Sequence, residues 1–345
     1  MVSIFSSLVP VALLIGIGYA VAKWGVVTIS GAQDLTRLTF NVLAPALLFH
    51  TMSQVHLQEL NIAPVALYFV VALSLFFSSI GALGFSRTST VLGLAGTYSN
   101  TTMIGVPLIG LVYGAAGLVF LFTLISVHAI ILLTTATVAL ELSLLKESGH
   151  DASLELRGSL SPGVTVLRAL KNATLHPVPL PIMGGMIFAH FGWKLPELID
   201  QPVVWVGQAF SPLALMLVGI SLYTAIKEQA DLSISKKPMH LRRADEHQAN
   251  TAQPLGVWQV ATVLTFVKNL VNPLLVLFIG HWVGIQGLAL SVMVLAASMP
   301  IGANVFLFSQ RYSVCQREIT IAVSASTLAA MASVPFVMWL TQLMN

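Results

Sequence analysis

Ten apolar runs, each about the length needed to cross a bilayer, leave this chain almost nothing from which to build a water-facing surface. They fall at approximately 4–22, 35–53, 62–86, 90–112, 115–140, 174–192, 199–224, 257–281, 286–309 and 318–343. A hydrocarbon core about 30 Å thick is spanned by roughly 20 apolar residues of helix. Lipid-exposed strands would leave backbone N–H and C=O groups unpaired, so the runs are expected to be helices. Composition agrees: 8% of the 345 residues are charged, against roughly 25% in a soluble domain. The chain reads as an all-α polytopic membrane protein with ten transmembrane helices. One cysteine, Cys315, permits no internal disulfide and no metal cluster. No cofactor, metal or nucleic acid is implied. The first run lacks the basic start and cleavage site of a signal peptide and reads as a retained span.

The basic residues orient the spans. Of the sixteen Lys and Arg, all but Lys194 and Lys268 fall on one side of the expected membrane. These fourteen include Lys23, Arg37, Arg87, Lys146, Lys227, Arg311 and Arg317. That side is expected to be cytoplasmic. Both termini then lie outside, and the larger loops, 143–173 and 226–256, lie in the cytoplasm.

The connection at 143–173 divides the chain into a first five-helix repeat (1–142) and a second (174–345, which includes loop 226–256). An odd number of spans per half makes the two repeats inverted relative to one another. Corresponding spans carry corresponding irregularities. Gly16 and Gly18 precede Tyr19 in the first span; Gly184 and Gly185 precede Met186 in the sixth. "APALLF" (Ala44–Phe49) in the second matches "SPLALM" (Ser211–Met216) in the seventh. "SNTTMIGVP" (Ser99–Pro107) in the fourth matches "SMPIGAN" (Ser298–Asn304) in the ninth. Paired Gly/Pro interruptions of this kind point to a transporter's binding site.

Spans four and nine are expected to be discontinuous. A proline inside a helix removes a hydrogen bond and clashes with the preceding turn, at a cost of about 3 kcal/mol. Asn100, Thr101 and Thr102, and likewise Ser298 and Asn304, can supply substitute donors and acceptors. Pro107 and Pro300 would suit the first position of each second half-helix. A helix broken at mid-membrane presents unpaired N–H groups and partial positive charge, so two converging breaks would hold an anion. Gly105 and Gly302 would allow a ligand or the partner helix close to the backbone.

Lys268 lies near the middle of the eighth span, in "FVKNLVNPLL" (Phe266–Leu275). A charge at that depth costs roughly 2.5–3.5 kcal/mol on insertion scales. Two roles stay open: pairing with carbonyls freed by a break, or neutralising an anionic substrate and changing protonation during transport. No carboxylate lies deep in a span, since Asp34, Glu141, Asp200 and Glu318 are all near span ends. His50, His128 and His281 read as packing or interfacial histidines. Gly110/Gly114 and Gly280/Gly284 have GxxxG spacing and read as internal helix packing. Walker A, HExxH and GxSxG motifs are absent, so the sequence points to no enzyme and no ATP-driven pump.

"NVLAPALLF" (Asn41–Phe49), "SNTTMIGVPLIG" (Ser99–Gly110), "SPLALMLVGISL" (Ser211–Leu222) and "SMPIGANVFLFSQRY" (Ser298–Tyr312) resemble the auxin efflux carrier family, which includes bacterial malate and malonate permeases. The resemblance spans essentially the whole chain in order. It implies two inverted five-helix repeats with crossed discontinuous helices four and nine, as in sodium/proton antiporter-like folds. It implies a scaffold of spans 1, 2, 6 and 7, often dimerising, and a mobile transport domain of spans 3–5 and 8–10. Members move organic anions by an elevator-type motion. By position, Asn100 and Pro107 match the polar residue and proline of the first crossover, and Pro300 and Asn304 those of the second. Thr102 and Met103 stand where relatives often carry Gly and Phe. The short loop after span five fits a bacterial carrier of the inner membrane better than a plant exporter.

The expected function is secondary transport of a small carboxylate, with H+ or Na+ the candidate coupling ions. The alternatives are a sodium-coupled symporter of another organic anion, bile-acid-like or a keto acid, and a membrane receptor that binds without transporting.

Overall fold

The computed structural model describes residues 2–55, 62–147, 179–234 and 256–344. Most of the connection 143–173, the start of the sixth apolar run and most of the loop 226–256 lie outside the described residues. So do the basic residues from Arg157 to Lys171 and from Lys236 to Arg243.

Among the described residues the fold is helical throughout, and strand pairing is confined to one isolated bridge between Ser99 and Ile301. In chain order the helices are α1 (Val2–Lys23), α2 (Ile29–Leu38), α3 (Ala44–Ser53), α4 (Ala63–Leu83), α5 (Arg87–Thr97), α6 (Val106–Glu147) and α7 (Pro179–His190). Then follow α8 (Glu197–Gln208), α9 (Phe210–Ile234), α10 (Val257–Phe266), α11 (Asn272–Trp282), α12 (Gly287–Ser298), α13 (Asn304–Arg311) and α14 (Gln316–Met344). Five helical stretches are long and apolar enough to cross a membrane: Ala63–Leu83, Thr101–Leu144, Glu197–Thr224, Val257–Trp282 and Gln316–Met344. Trp24, Trp193, Trp258 and Trp282 stand exposed at or beside helix ends, where an amphipathic ring sits well between hydrocarbon and headgroup.

Three five-residue π turns interrupt this pattern, at Thr39–Leu43, Thr101–Gly105 and Val267–Val271. Each ends two residues before a proline: Pro45, Pro107 and Pro273. A proline ring collides with the carbonyl four residues back, and in all three cases that carbonyl belongs to the π turn. The wider i→i+5 turn moves it aside, so the helix continues where an α-helical register would clash.

Gly114 splits α6 sharply, with φ 62° and ψ −155°. In a straight helix residues 110 and 118 would stand about 12 Å apart. A Cβ on Gly110 would instead lie 3.5 Å from Leu118 Cδ1, so the chain folds back at Gly114, between the fourth and fifth apolar runs. The GxxxG pairs therefore need correction. Gly114 and Gly284 occupy the left-handed region (φ 62° and 83°), which glycine adopts without steric cost, and they shape turns. Gly110 and Gly280 do pack internally, Gly110 at ordinary distance from Leu118 and Gly280 tightly, its missing Cβ position 2.3 Å from Leu290 Cδ1.

Glycines of the first, sixth and seventh runs set close helix contacts. A Cβ on Gly18 would lie 2.0 Å from Met216 O, and one on Gly219 would lie 2.0 Å from Ile15 O, so α1 and α9 touch backbone to backbone. Gly16, by contrast, faces open space. On α7 a Cβ at Gly185 would meet Phe49 O at 2.7 Å, and on α8 one at Gly207 would meet Leu47 Cα at 2.9 Å. Thus α1 packs on α9, and α3 on α7 and α8. Elsewhere α4 packs on α5 and α11, α10 on α14, and α12 on α11, α14 and α6.

At the basic ends, the Arg87 guanidinium donates to the Tyr312 carbonyl (3.3 Å), and the Tyr312 hydroxyl donates to Glu141 Oε1 (2.9 Å). Burial, with the Glu141 carboxylate beside it, pushes the Tyr312 phenol above its ordinary value. This tie joins the starts and ends of α5, α6 and α13.

Candidate functional site

Two chain breaks meet, one after α5 and one after α12. Helix α5 starts under a Ser86–Ser89 capping box and stops at Thr97, and Tyr98 turns extended (ψ 113°). Helix α12 stops at Ser298, and Met299 turns extended (ψ 146°). The two extended segments pair antiparallel: the Asn100 N–H donates to the Pro300 carbonyl (2.9 Å), and the Gly302 N–H donates to the Tyr98 carbonyl (3.0 Å). Both breaks thereby satisfy buried backbone groups that lipid could not. The Ile301 N–H donates to Ser326 Oγ of α14 at 3.1 Å.

Each break launches a half-helix. Asn100 caps the first: its side-chain oxygen accepts from the Met103 N–H at 3.3 Å, while its carbonyl accepts from Ile104 and Gly105. The second starts from Ala303 into α13. The first N–H groups of a helix lie outside its own ladder, and here they belong to Thr101, Thr102, Ala303 and Asn304. Thr101 is buried, Asn100, Thr102 and Asn304 are half-buried, and Ala303 is exposed. Met103 packs on Ala22 of α1 and on Leu217 and Ile220 of α9. This end of the site therefore borders the α1–α9 pair.

Two placements differ from the sequence expectation. Pro107 is not the first residue of its half-helix, which begins at Asn100; the π turn carries the chain into it. Pro300 is not in a helix at all. It lies in the extended pair and offers its carbonyl to Asn100, a role a residue without an N–H can fill.

The glycines also divide. A Cβ on Gly302 would lie 2.6 Å from Tyr98 Cδ1, so the partner break needs glycine there. At Gly105 the nearest atoms are 3.6–3.8 Å away, ordinary contact. Ser298 is fully buried, and its hydroxyl donates to Leu295 O (2.8 Å).

A polar wall flanks the pair. Asn304 Nδ2 donates to the Tyr98 hydroxyl (2.9 Å). The Tyr68 hydroxyl lies 3.0 Å from Ser99 Oγ and 3.1 Å from His128 Nε2. The His128 ring lies 4.5 Å from that of Tyr98. His128 is thus a buried, hydrogen-bonded packing residue tying α4 and α6 to the break.

Lys268 is fully buried and its ammonium donates to the Ala297 carbonyl at 2.5 Å. Of the two roles open in the sequence, the pairing with a carbonyl freed by a break is present. The neighbouring Asn269 donates to Ser326 O (2.7 Å), leaving its Oδ1 without a partner, and fully buried Asn272 has neither polar side-chain atom paired.

Sequence reasoning missed Tyr98, Tyr68, Ser326, Asn269 and Asn272. Two amides following a lysine in "VKNLVN" were a legible signal. A hydroxyl such as Ser326, one of several along α14, was not.

A family model described as "Membrane transport protein" matches residues 3–338. The chain belongs to this family. A "Putative malonate transporter" of Rhizobium meliloti (strain 1021) is 24% identical over 303 residues, covering 86% of this chain and 82% of the relative. "Uncharacterized transporter YfdV" of Escherichia coli (strain K12) is 22% identical over 350 residues, covering 98% of each. This member of the membrane transport protein family is thus similar to transporters along nearly its whole length.

Proposed function

We propose that the protein is a secondary transporter of a small organic anion, a short carboxylate such as malonate or malate, held where the two breaks meet. One observation carries the reading: two half-helix N-termini and a buried lysine gather around a single backbone pair. Thr101, Thr102, Ala303 and Asn304 present N–H groups and positive dipole ends, which favour a carboxylate. Asn100 and Asn304 orient it, and the Lys268 charge lies one residue before the end of α12. The relative named for malonate supports a dicarboxylate.

The antiparallel bridge is what two inverted five-helix repeats, 1–142 and 174–345, would produce. The α1–α9 and α3–α7–α8 contacts favour a scaffold of spans 1, 2, 6 and 7. The remaining spans, 3–5 and 8–10, would slide past it as an elevator, with homodimerisation through the scaffold. In the inner membrane the basic helix ends would face the cytoplasm and both termini the outside.

The test is counterflow. Purified protein in liposomes preloaded with malonate or malate should accumulate external labelled substrate saturably, and the Asn100→Ala and Asn304→Ala variants should not. Exchange absent for every mono- and dicarboxylate tried, with no thermal shift on adding them, would reject the reading.

A further inference from the structure

A carrier that moves a proton together with an anion needs a buried group able to hold that proton. Among the described residues no carboxylate is buried, and the buried groups able to hold a positive charge are Lys268 and His128. Lys268 is engaged on the Ala297 carbonyl, which leaves His128. Its side chain is 2% exposed and is joined to both halves of the site. Through Nε2 it meets the Tyr68 hydroxyl (3.1 Å), which meets Oγ of Ser99 (3.0 Å), the residue before Asn100. Its ring also lies 4.5 Å from that of Tyr98, whose hydroxyl accepts from Asn304. A phenyl ring would fill the same space; the imidazole adds a place for a proton.

The surroundings decide when that place is filled. Tyr68 faces His128 from α4 and Tyr98 from the break, and the Lys268 charge acts from the π turn between α10 and α11. Helix α12, packed on α6, carries no charged residue, and α1, α3, α5, α7 and α9 carry theirs toward their ends. A second buried positive charge is costly, so the empty carrier holds His128 neutral. An anion at the half-helix N-termini offsets that cost, because opposite charges attract strongly in a dry interior.

We propose that His128 takes up a proton with each anion, which makes the carrier a proton symporter. This deepens the transport reading and rests on it. With the ring neutral, Tyr68 donates to Nε2 and accepts from the Ser99 hydroxyl. A proton arriving from water at Ser99 moves the chain on by one place. Ser99 hands its own hydrogen to Tyr68, and Tyr68 hands its own to Nε2. The products are an imidazolium, two neutral hydroxyls and the same two hydrogen bonds with their directions reversed. Ser99 is left as a donor beside Asn100. When the anion leaves, the proton returns by the same path.

Malonate binding to the purified protein tests this above neutral pH, where malonate is fully ionised. One proton bound with the anion makes affinity fall about tenfold per unit rise in pH. Calorimetry in buffers of different ionisation enthalpy should count about one proton taken up per malonate. His128→Gln keeps a hydrogen bond to Tyr68 but holds no proton, so its affinity should not depend on pH and its proton uptake should vanish. In liposomes with the membrane potential clamped at zero, an exterior one pH unit more acidic should drive wild-type accumulation about tenfold. The glutamine variant should not accumulate. Should that variant not fold, Tyr68→Phe, which cuts the path to Nε2, should show the same losses. Wild-type binding without proton uptake overturns the inference and leaves the transport reading intact, as does undiminished proton uptake in either variant. Failure to bind any carboxylate removes the transport reading and this inference with it.

Discussion

The Gly302 N–H and the Tyr98 carbonyl meet at 3.0 Å, and the Tyr98 ring lies over the same glycine with no room for a Cβ. One residue thus supplies both the backbone acceptor and the ceiling of the second break. The geometry of the anion site depends on how closely these two approach.

Replacing Gly302 by alanine should force the Tyr98 ring aside, because a Cβ would sit 2.6 Å from its Cδ1. Overpacking of this kind costs about 1–3 kcal/mol, so a melting temperature several degrees lower and loss of most uptake are expected. Gly105→Ala is the control: its nearest neighbour is 3.6 Å away, and it should melt and transport nearly as wild type. Equal behaviour of the two variants would show that the Tyr98–Gly302 approach does not matter.

Tyr98→Phe keeps the ring over Gly302 and removes only the hydroxyl that accepts from Asn304 Nδ2 at 2.9 Å. A neutral hydrogen bond contributes about 0.5–1.5 kcal/mol, so the fold should survive with a small loss of stability. The freed Asn304 amide can rotate, which should raise the apparent KM for substrate about tenfold with little change in maximal rate. Uptake measured across substrate concentration separates this from a stability defect, which would lower the maximal rate through loss of folded protein.

How much of this could be read from sequence follows from what each residue needs. The helical character, the two breaks and the cationic lysine were legible, because a bilayer admits few alternatives to apolar helix and makes polar or proline interruptions conspicuous. Where the half-helices start was not. Pro107 looked like a helix start because the sequence does not display the π turn that lets it sit seven residues into one. Pro300 looked the same, yet Ile301 and Gly302 find backbone and side-chain partners in Tyr98 and Ser326, and so stay extended. Pairings between distant segments decide both cases, and local spacing carries no trace of them. Tyr98 was missed for the same reason: it borders the motif, but its contacts lie on α6 and α13.

The α1–α9 contact predicts opposite outcomes for two glycines two residues apart. Gly18→Ala or Gly219→Ala places a methyl group 2.0 Å from a backbone carbonyl, which no side-chain rotation relieves; Gly16→Ala meets nothing within 4 Å. The first two should give poorly folded, aggregated protein on size-exclusion chromatography, and the third a normal profile. A Gly18→Ala variant as monodisperse and heat-stable as wild type would argue that the helices are not in backbone contact.

Accessibility tests the site directly. Ala303 is exposed while Ile301, two residues earlier on the same break, is 1% exposed. In a Cys315→Ser background, which removes the lone cysteine, Ala303→Cys should react with a small anionic thiosulfonate. Ile301→Cys should stay unmodified until the protein unfolds. A carboxylate held at the half-helix N-termini would cover residue 303 and repel the anionic reagent, so saturating malonate should slow labelling about tenfold or more. A neutral maleimide of similar size separates the two causes, because covering slows both reagents and repulsion only the charged one. Labelling at full rate with both reagents in saturating substrate would place the anion away from the paired breaks.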